Sequence, residues 1–293
     1  MKKVVIAGGT GFIGKYIANR FSENGYNVQI VSRSPDHVSW NPMELEEALE
    51  NAELVINLTG KSINCKHNEV NKKALLDSRV EPTIWIGNAI LACEKPPKLW
   101  INASAAGIYK PSIIHAATED ERNLGTDFLS ELVKKWEKTF FGFTLPETRQ
   151  IALRTSVVLG KNGGALKPLV SLCKFGIGGK QASGEQIFSW IHIEDYFRIL
   201  LFIADYPTLS GVINCTSPYP ISNKRLMRAI RTTLHVPIGI PAPEFAIRLG
   251  AKLICTEPSL LLDSSNLIPK RLLNAGFHFK FPKLKKALSD ILE

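Results

Sequence analysis

Cysteine is scarce and unpaired in this chain of 293 residues: the five present (Cys65, Cys93, Cys173, Cys215 and Cys255) are scattered, odd in number and never spaced Cys-x-x-Cys. Neither a disulfide framework nor a zinc site is indicated, no metal is expected, and the thiols read as reduced core residues of a cytoplasmic protein. Long hydrophobic runs are also missing, none approaching the ~20 residues of a membrane helix, so no membrane partner is expected. The apolar stretch after Lys2 and Lys3 turns into a glycine loop within a few residues and shows no cleavage pattern, so it reads as part of the fold and not as a targeting peptide. Acidic residues are the minority, 27 against 36 Lys and Arg, leaving a formal charge of +9. The basic residues are nevertheless dispersed. Even the densest patch, Lys280 to Lys286, alternates with Phe281, Pro282 and Leu284, so nucleic acid is not an expected partner. A basic surface of this kind would instead assist capture of an anionic cofactor. Repeats are absent, and with 45% hydrophobic residues the chain can bury the core of one large domain, or of a domain with an appendage.

What is present begins at once. Lys2 to Ala7 reads as a buried strand, followed by Gly8-Gly9-Thr10-Gly11-Phe12-Ile13-Gly14 and the amphipathic start of a helix, Tyr16 to Phe21. This is the pattern of a dinucleotide cradle: Gly8 and Gly11 let the backbone turn tightly against a pyrophosphate, and Gly14 lets helix lie on strand. Free N–H groups at the helix start and the helix dipole both favour an anion there. A second strand, Asn27 to Arg33, ends with arginine where an NAD site usually places an acid on the ribose diol. The Arg33 guanidinium can pair with a 2′-phosphate, and the Ser32 and Ser34 hydroxyls can donate to it, so NADP(H) is the expected cofactor. The plainer alternative is a solvated charge at a strand end.

Strand and helix continue to alternate, which predicts a doubly wound parallel α/β sheet of the Rossmann type with helices on both faces. Met43 to Asn51 reads as a helix and Glu53 to Leu58 as a buried strand, placing Leu58, Thr59 and Gly60 at its carboxyl end beside the adenosine and pyrophosphate. Asn71 to Cys93 reads as one long helix or two, broken near Pro82, and carries Arg79, which spacing alone leaves as either a cofactor contact or an exposed charge. Lys98 to Ser104 is the next strand, Thr126 to Phe141 a helix, and Gln150 to Gly160 a further strand. The stretch 160–184 is expected to be an irregular lid or substrate segment with one embedded helix. Residues 1–232 then form the nucleotide-binding domain and 233–293 a small, mostly helical C-terminal lobe, with helices over Glu244 to Ile254, Pro269 to Asn274 and Lys283 to Leu292.

The glycine loop, the strand ending at Ser104 with Tyr109 beyond it, Arg154 to Gly160 and Trp190 to Asp195 occur in this order. Together they resemble the extended short-chain dehydrogenase/reductases, the NAD(P)-dependent epimerase/dehydratase group. Pro241 to Ala246 and Ile268 to Phe277, ahead of Phe281-Pro282, look like the C-terminal domain of the atypical epimerase family proteins, whose chemistry is poorly defined. The resemblance runs nearly end to end. It implies an NADP(H)-binding fold with Thr10, Gly11, Phe12, Ile13, Ser32, Arg33, Leu58, Thr59, Arg79 and Val157 as cofactor contacts. The family's Ser-Arg pair falls on Ser78 and Arg79, and Val157 is expected at the end of the sixth strand, near the nicotinamide.

Active members of that group use a tyrosine with a lysine four residues later, the lysine charge lowering the phenol pKa for proton exchange during hydride transfer. None of the six tyrosines here has lysine at that spacing. Aligning Glu137 with the family's later helical acid puts Leu129 and Val133 at the Tyr and Lys positions. The usual serine is displaced as well, with Ala105 in its place and Ser104 one residue earlier. Two functions remain open: an NADP(H)-dependent oxidoreductase or epimerase-like enzyme of unknown substrate with substituted proton donors, Ser104 and Tyr109 being the candidates, or a non-catalytic NADP(H) sensor or scaffold. Loss of a proton-transfer group costs ~10²- to 10⁴-fold, which a slow enzyme survives. His192, at a strand-to-helix junction, is expected to serve in hydrogen bonding rather than as a base, and Trp136 and Trp190 to pack. Ile84, Ile90, Leu129 and Leu132 are candidates for a homodimer interface, with core packing as the default.

Overall fold

The computed structural model describes residues 1–161, 163–253, 255 and 257–293. Ile254, the expected end of a C-terminal helix, lies outside the described residues, as does Asn162 of the glycine-rich stretch.

The first strand explains the architecture. In β1 (Lys3–Ala7) alternate side chains enter different cores: Val4 and Ile6 join one apolar cluster, Val5 and Ala7 another. An unbroken apolar run is what a parallel strand needs when helices cover both of its faces. Around it stand α1 (Phe12–Glu23), β2 (Asn27–Val31), α2 (Pro42–Leu49), β3 (Leu54–Asn57), α3 (Glu69–Ala92), β4 (Leu99–Ala105), α4 (Phe128–Phe141) and β5 (Arg149–Thr155). There follow β6 (Val157–Leu159), α5 (Leu166–Lys174), β7 (Ile187–Phe188), β8 (Trp190–His192), α6 (Ile193–Asp205) and β9 (Gly211–Cys215). The chain then runs through β10 (Ile221–Ser222), α7 (Asn223–Thr233), α8 (Glu244–Leu253), α9 (Ser259–Leu262), α10 (Lys270–Asn274) and α11 (Leu284–Leu292).

The main sheet has the order β2-β1-β3-β4-β5-β9 and is parallel throughout. This is the expected doubly wound α/β sheet. The strand order reverses at β1, between β2 and β3, which opens a cleft at the carboxyl ends of β1 and β3. α1 and α6 close one face with Ile17, Phe21, Phe197 and Leu200, and α2 and α3 close the other with Leu45, Leu49, Ile86 and Ile90. Each such side chain, once buried, is worth about 1.5–3 kcal/mol against exposure.

Several elements differ from expectation. β2 stops at Val31, so Ser32 and Arg33 lie in the turn beyond it. α3 is one continuous helix across Pro82, because the buried Leu75, Pro82, Thr83, Ile86 and Ile90 hold it against its neighbours and outweigh the ~3 kcal/mol of an interior proline. The strand expected over Gln150 to Gly160 divides at Ser156, whose N–H donates to Cys215 O at 3.1 Å, after which Val157–Leu159 leaves the main sheet to pair with β8. Val157 therefore opens the sixth strand and does not end it. Of the four apolar candidates for a dimer face, Ile90 and Leu132 are core residues and Leu129 lines a cavity described below; Ile84 alone among them is exposed.

The C-terminal part is helical, as anticipated, but shares a core with the body. Phe281, Leu284, Leu288 and Ile291 cluster with Leu159, Leu166, Trp190, Leu226 and Ile230. Among the described residues no helix is long and apolar enough to cross a membrane.

Candidate functional site

The cleft is built on the glycine loop. Gly8 has φ +77°, and a Cβ there would sit 3.0 Å from the Leu58 carbonyl carbon and the Thr59 nitrogen. At Gly14 a Cβ would come within 2.5 Å of Gly8 O, so only glycine lets α1 lie this close to the loop. Gly11 N donates to Gly8 O at 3.2 Å and closes the bend. Gly11 is the N-cap of α1 and provides no side-chain cap, which leaves the first N–H groups of that helix, from Phe12 onward, open to an anion. The loop thus fits a pyrophosphate on its own geometry.

A cavity of about 680 Å³ runs from this loop across the carboxyl ends of β1, β3, β4 and β5. Gly8, Gly11, Phe12, Ile13, Leu58, Thr59, Gly60, Arg79 and Val157 line it, and so do Ser104 and Tyr109. Thr10, Ser32 and Arg33 do not: Thr10 is exposed on the loop, and the other two stand at the tip of β2. There Ser32 Oγ lies 2.9 Å from His37 Nδ1 and accepts from Ser34 N at 2.9 Å, while Arg33 is exposed. Among the described residues Arg33 has no ion pair or hydrogen-bond partner for its guanidinium. Arg79 is the opposite case. It donates to Leu75 O at 2.9 Å and Lys61 O at 3.0 Å, lies over the Trp136 ring, and packs so near Gly60 that a Cβ there would be 3.1 Å from its Cζ. Burial pulls its pKa down to about 10.

Below the cavity floor runs a polar ladder that the sequence reading missed. Asn57 Oδ1 accepts from Thr59 N and Thr59 Oγ1, and Asn57 Nδ2 donates to Asn102 Oδ1 at 2.7 Å. Thr83 Oγ1 accepts from Trp136 Nε1 at 3.0 Å and donates to Arg79 O. Asparagines within two otherwise apolar strands, Asn57 ending β3 and Asn102 inside β4, were the available signal, since a buried amide must find partners.

The two candidate proton donors belong to a second buried network. Ser104 Oγ donates to Glu137 Oε1 at 2.6 Å; Glu137 in turn pairs with Arg154 through two bonds of 2.8 Å. Arg154 Nη1 donates to the Tyr109 hydroxyl at 2.9 Å, and that hydroxyl donates to Asn214 Oδ1 at 2.7 Å. None of Glu137, Arg154 and Asn214 lines the cavity, so both hydroxyls are directed at the protein interior. Burial raises the Tyr109 pKa, with Arg154 and Asn214 opposing. Leu129 and Val133, at the positions of the missing Tyr and Lys, do face the cavity.

The other named residues fall in structural roles. His192 is the N-cap of α6, its Nδ1 accepting from Glu194 N at 3.1 Å, and its buried ring lies 4.0 Å from that of Phe281. Trp136 and Trp190 are buried in packing. No described residue of 160–184 lines the cavity; that wall comes from Ser259, Leu260 and 263–267, a segment not anticipated in this role. The glycine-rich stretch instead pairs at Gly179 and Ala182 with Ile240 and Ala242, and folds Gly163 and Gly164 around the Phe12 ring.

Sheet order, glycine loop and cleft define a Rossmann-fold protein of the short-chain dehydrogenase/reductase type. The NAD dependent epimerase/dehydratase family matches residues 4–127, and a domain of unknown function, DUF1731, matches residues 242–291. An epimerase family protein of Mus musculus, SDR39U1, is 34% identical over 300 residues, covering 99% of each chain. One from Staphylococcus aureus (strain N315) is 32% identical over 302 residues and 100% of each. The crystal structure of human epimerase family protein SDR39U1 (isoform 2) with NADPH superposes with a TM-score of 0.89 at 33% identity, covering 99% of this chain and 98% of that one. The chain belongs to the epimerase family.

Proposed function

We propose that this protein binds NADP(H) in the cleft, in preference to NAD(H), and acts as an oxidoreductase or epimerase-like enzyme with an atypical proton-transfer site. The observation that carries the coenzyme choice is the exposed guanidinium of Arg33, without a partner among the described residues, at the tip of β2, the strand paired with β1, whose glycine loop opens α1. That cation would pair with the 2′-phosphate and the helix start would hold the pyrophosphate. The human relative crystallised with NADPH supports the same choice. Gly8, Gly11, Phe12 and Ile13 would hold the pyrophosphate, Thr10, Ser32 and Arg33 the phosphorylated ribose side, and Leu58, Thr59, Gly60 and Arg79 the adenosine side, with Val157 toward the nicotinamide. When bound, the coenzyme supplies a transferable hydride. In the enzyme reading Ser104 and Tyr109 release or take up the proton, which requires their hydroxyls to turn from Glu137 and Asn214 toward the cavity.

The present direction of those hydroxyls favours a second reading, a non-catalytic NADP(H) sensor or scaffold. Titration with NADPH and NADH, followed by a carbonyl screen for NADPH oxidation, separates the two. Arg33→Ala is expected to weaken NADPH about tenfold or more and NADH hardly at all, the cost of one charge-assisted contact. Equal losses for both coenzymes would refute the 2′-phosphate assignment. Turnover that survives Ser104→Ala and Tyr109→Phe at full rate would remove both as catalytic residues.

A further inference from the structure

The segments that follow α5 and α7 run side by side as a ribbon: Ile240 N donates to Gly176 O at 2.9 Å, Gly179 N to Ile240 O at 3.0 Å and Ala242 N to Lys180 O at 3.0 Å. A Cβ on Gly239 would lie 2.6 Å from Arg231 Nε, so this residue backs onto the guanidinium, while its neighbours Ile238 and Ile240 stand out in solvent. Phe175 and Ile177 are exposed on the adjoining segment, and exposure reaches 80% at Phe175 and 67% at Ile238. Single exposed apolar residues are ordinary, but four on one paired ribbon mark a surface that something covers. None of the four lines the cavity at the glycine loop.

The flank of this ribbon is basic. α7 carries Lys224, Arg225, Arg228 and Arg231 and no acidic residue. With Lys180 and Gly239 of the ribbon they line a hollow of about 360 Å³, and Arg228 and Arg231 line a second, of about 330 Å³, together with His235. A nearby carboxylate, Glu185, is taken up by Lys224 at 2.6 Å. Arg231 Nη1 donates to Gly178 O at 2.6 Å, and its buried Nε has no partner among the described residues. Arg225 and Arg228 are exposed, and among the described residues neither guanidinium has an ion pair or hydrogen bond. Cations beside projecting apolar side chains match a membrane surface with anionic headgroups, whose phosphates take the guanidinium groups while the apolar side chains enter the acyl boundary. A second copy seated on this face by a two-fold axis would instead bring like charges together. The lack of membrane-length runs bears on spanning, and attachment at a surface needs none.

We infer that the ribbon and the basic face of α7 form a docking surface for an anionic lipid bilayer, with Phe175, Ile238 and Ile240 entering it and Arg225, Arg228 and Arg231 pairing with headgroup phosphates. This surface is independent of the coenzyme reading. The test is flotation of the full chain with vesicles of phosphatidylcholine alone and of phosphatidylcholine with about one-third phosphatidylglycerol. Partitioning onto the anionic vesicles is expected to exceed that onto the neutral ones about tenfold or more, and to fall steeply at about 0.5 M salt. Arg225→Gln/Arg228→Gln should weaken it about 25-fold, about fivefold per charge, and Phe175→Ser/Ile240→Ser about tenfold or more. All four positions are exposed, so both variants should melt within about 2 °C of the parent, and the lipid and salt comparisons on the parent chain stand whatever the variants do. Equal partitioning onto both vesicles, or none onto either, overturns the inference. Loss in the arginine variant with full retention in the apolar one also overturns it, leaving plain anion binding. A dimer in sedimentation velocity that Phe175→Ser/Ile240→Ser splits would give the face to a second copy instead.

Discussion

Single residues set the electrostatics, and two of them give direct measurements. His192 is buried, with its pKa pulled below 6.5 by burial while Asp290, Asp195 and Glu194 oppose, and its neutral Nδ1 caps α6. A folded-state pKa below the unfolded value means that the stabilisation is present above about pH 6.5 and is lost as pH falls through the folded value. The melting temperature should therefore drop between pH 7.5 and 5.5, and His192→Asn, which keeps a capping acceptor without a titrating ring, should flatten that drop. An unchanged slope in the variant would reject this account. Arg154 offers the second measurement. Its pairing with Glu137 is buried, so Arg154→Met strands a carboxylate and should cost about 3–5 kcal/mol in urea unfolding. Tyr109→Phe, which leaves Arg154 Nη1 and Asn214 Oδ1 each short of a partner, should cost about 1–3 kcal/mol. A network holding structure alone would respond in this order of size, with NADPH affinity unmoved by Tyr109→Phe.

Helices and loops are where the local sequence is most and least informative. The glycine bend was readable because Gly8 and Gly14 answer steric demands, met in the structure as Cβ positions 2.5–3.0 Å from backbone, whereas at Gly11 a Cβ would come no nearer than 3.6 Å to Gly8 O, so the tight turn does not require glycine there. Gly14→Ala should accordingly lower stability and abolish tight NADPH binding, since helix and loop cannot both stay in place. Pro82 taught the reverse. Local propensity argues for a break, yet tertiary contacts carry α3 straight through, so Pro82→Ala, which restores an N–H able to donate to Ser78 O, should raise stability by up to about 3 kcal/mol. No gain in unfolding free energy would show that the side chain's own packing outweighs the missing bond. The strand division at Ser156 was invisible for a related reason: Val157, Val158 and Leu159 continue the apolar run while changing partner from β9 to β8.

At the scale of the whole molecule, the C-terminal segment closes two structures at once. Its last helix completes the cluster around Trp190, Leu226 and Ile230, and residues 259–267 wall the cavity. Removing 282–293 should thus destabilise the nucleotide-binding half as well, and calorimetry of the intact chain should show one cooperative transition, not two. Two separate transitions would mean that the shared core contributes little.

The amino-acid sequence alone determined the doubly wound fold, the glycine cradle and the arginine at the tip of β2, because these rest on backbone sterics and charge within short stretches. It also exposed the absent Tyr–Lys pair, which needs only a spacing. Tertiary structure alone decided that Ser104 and Tyr109 turn to Glu137, Asn214 and Arg154, and that Ser259 to Leu267, not the glycine-rich 160–184, bounds the cavity. Those outcomes depend on which distant segments meet. A hydroxyl's direction is set by the nearest buried hydrogen-bond acceptor, and the residues supplying it here, Glu137 and Asn214, lie 33 and 105 positions away along the chain.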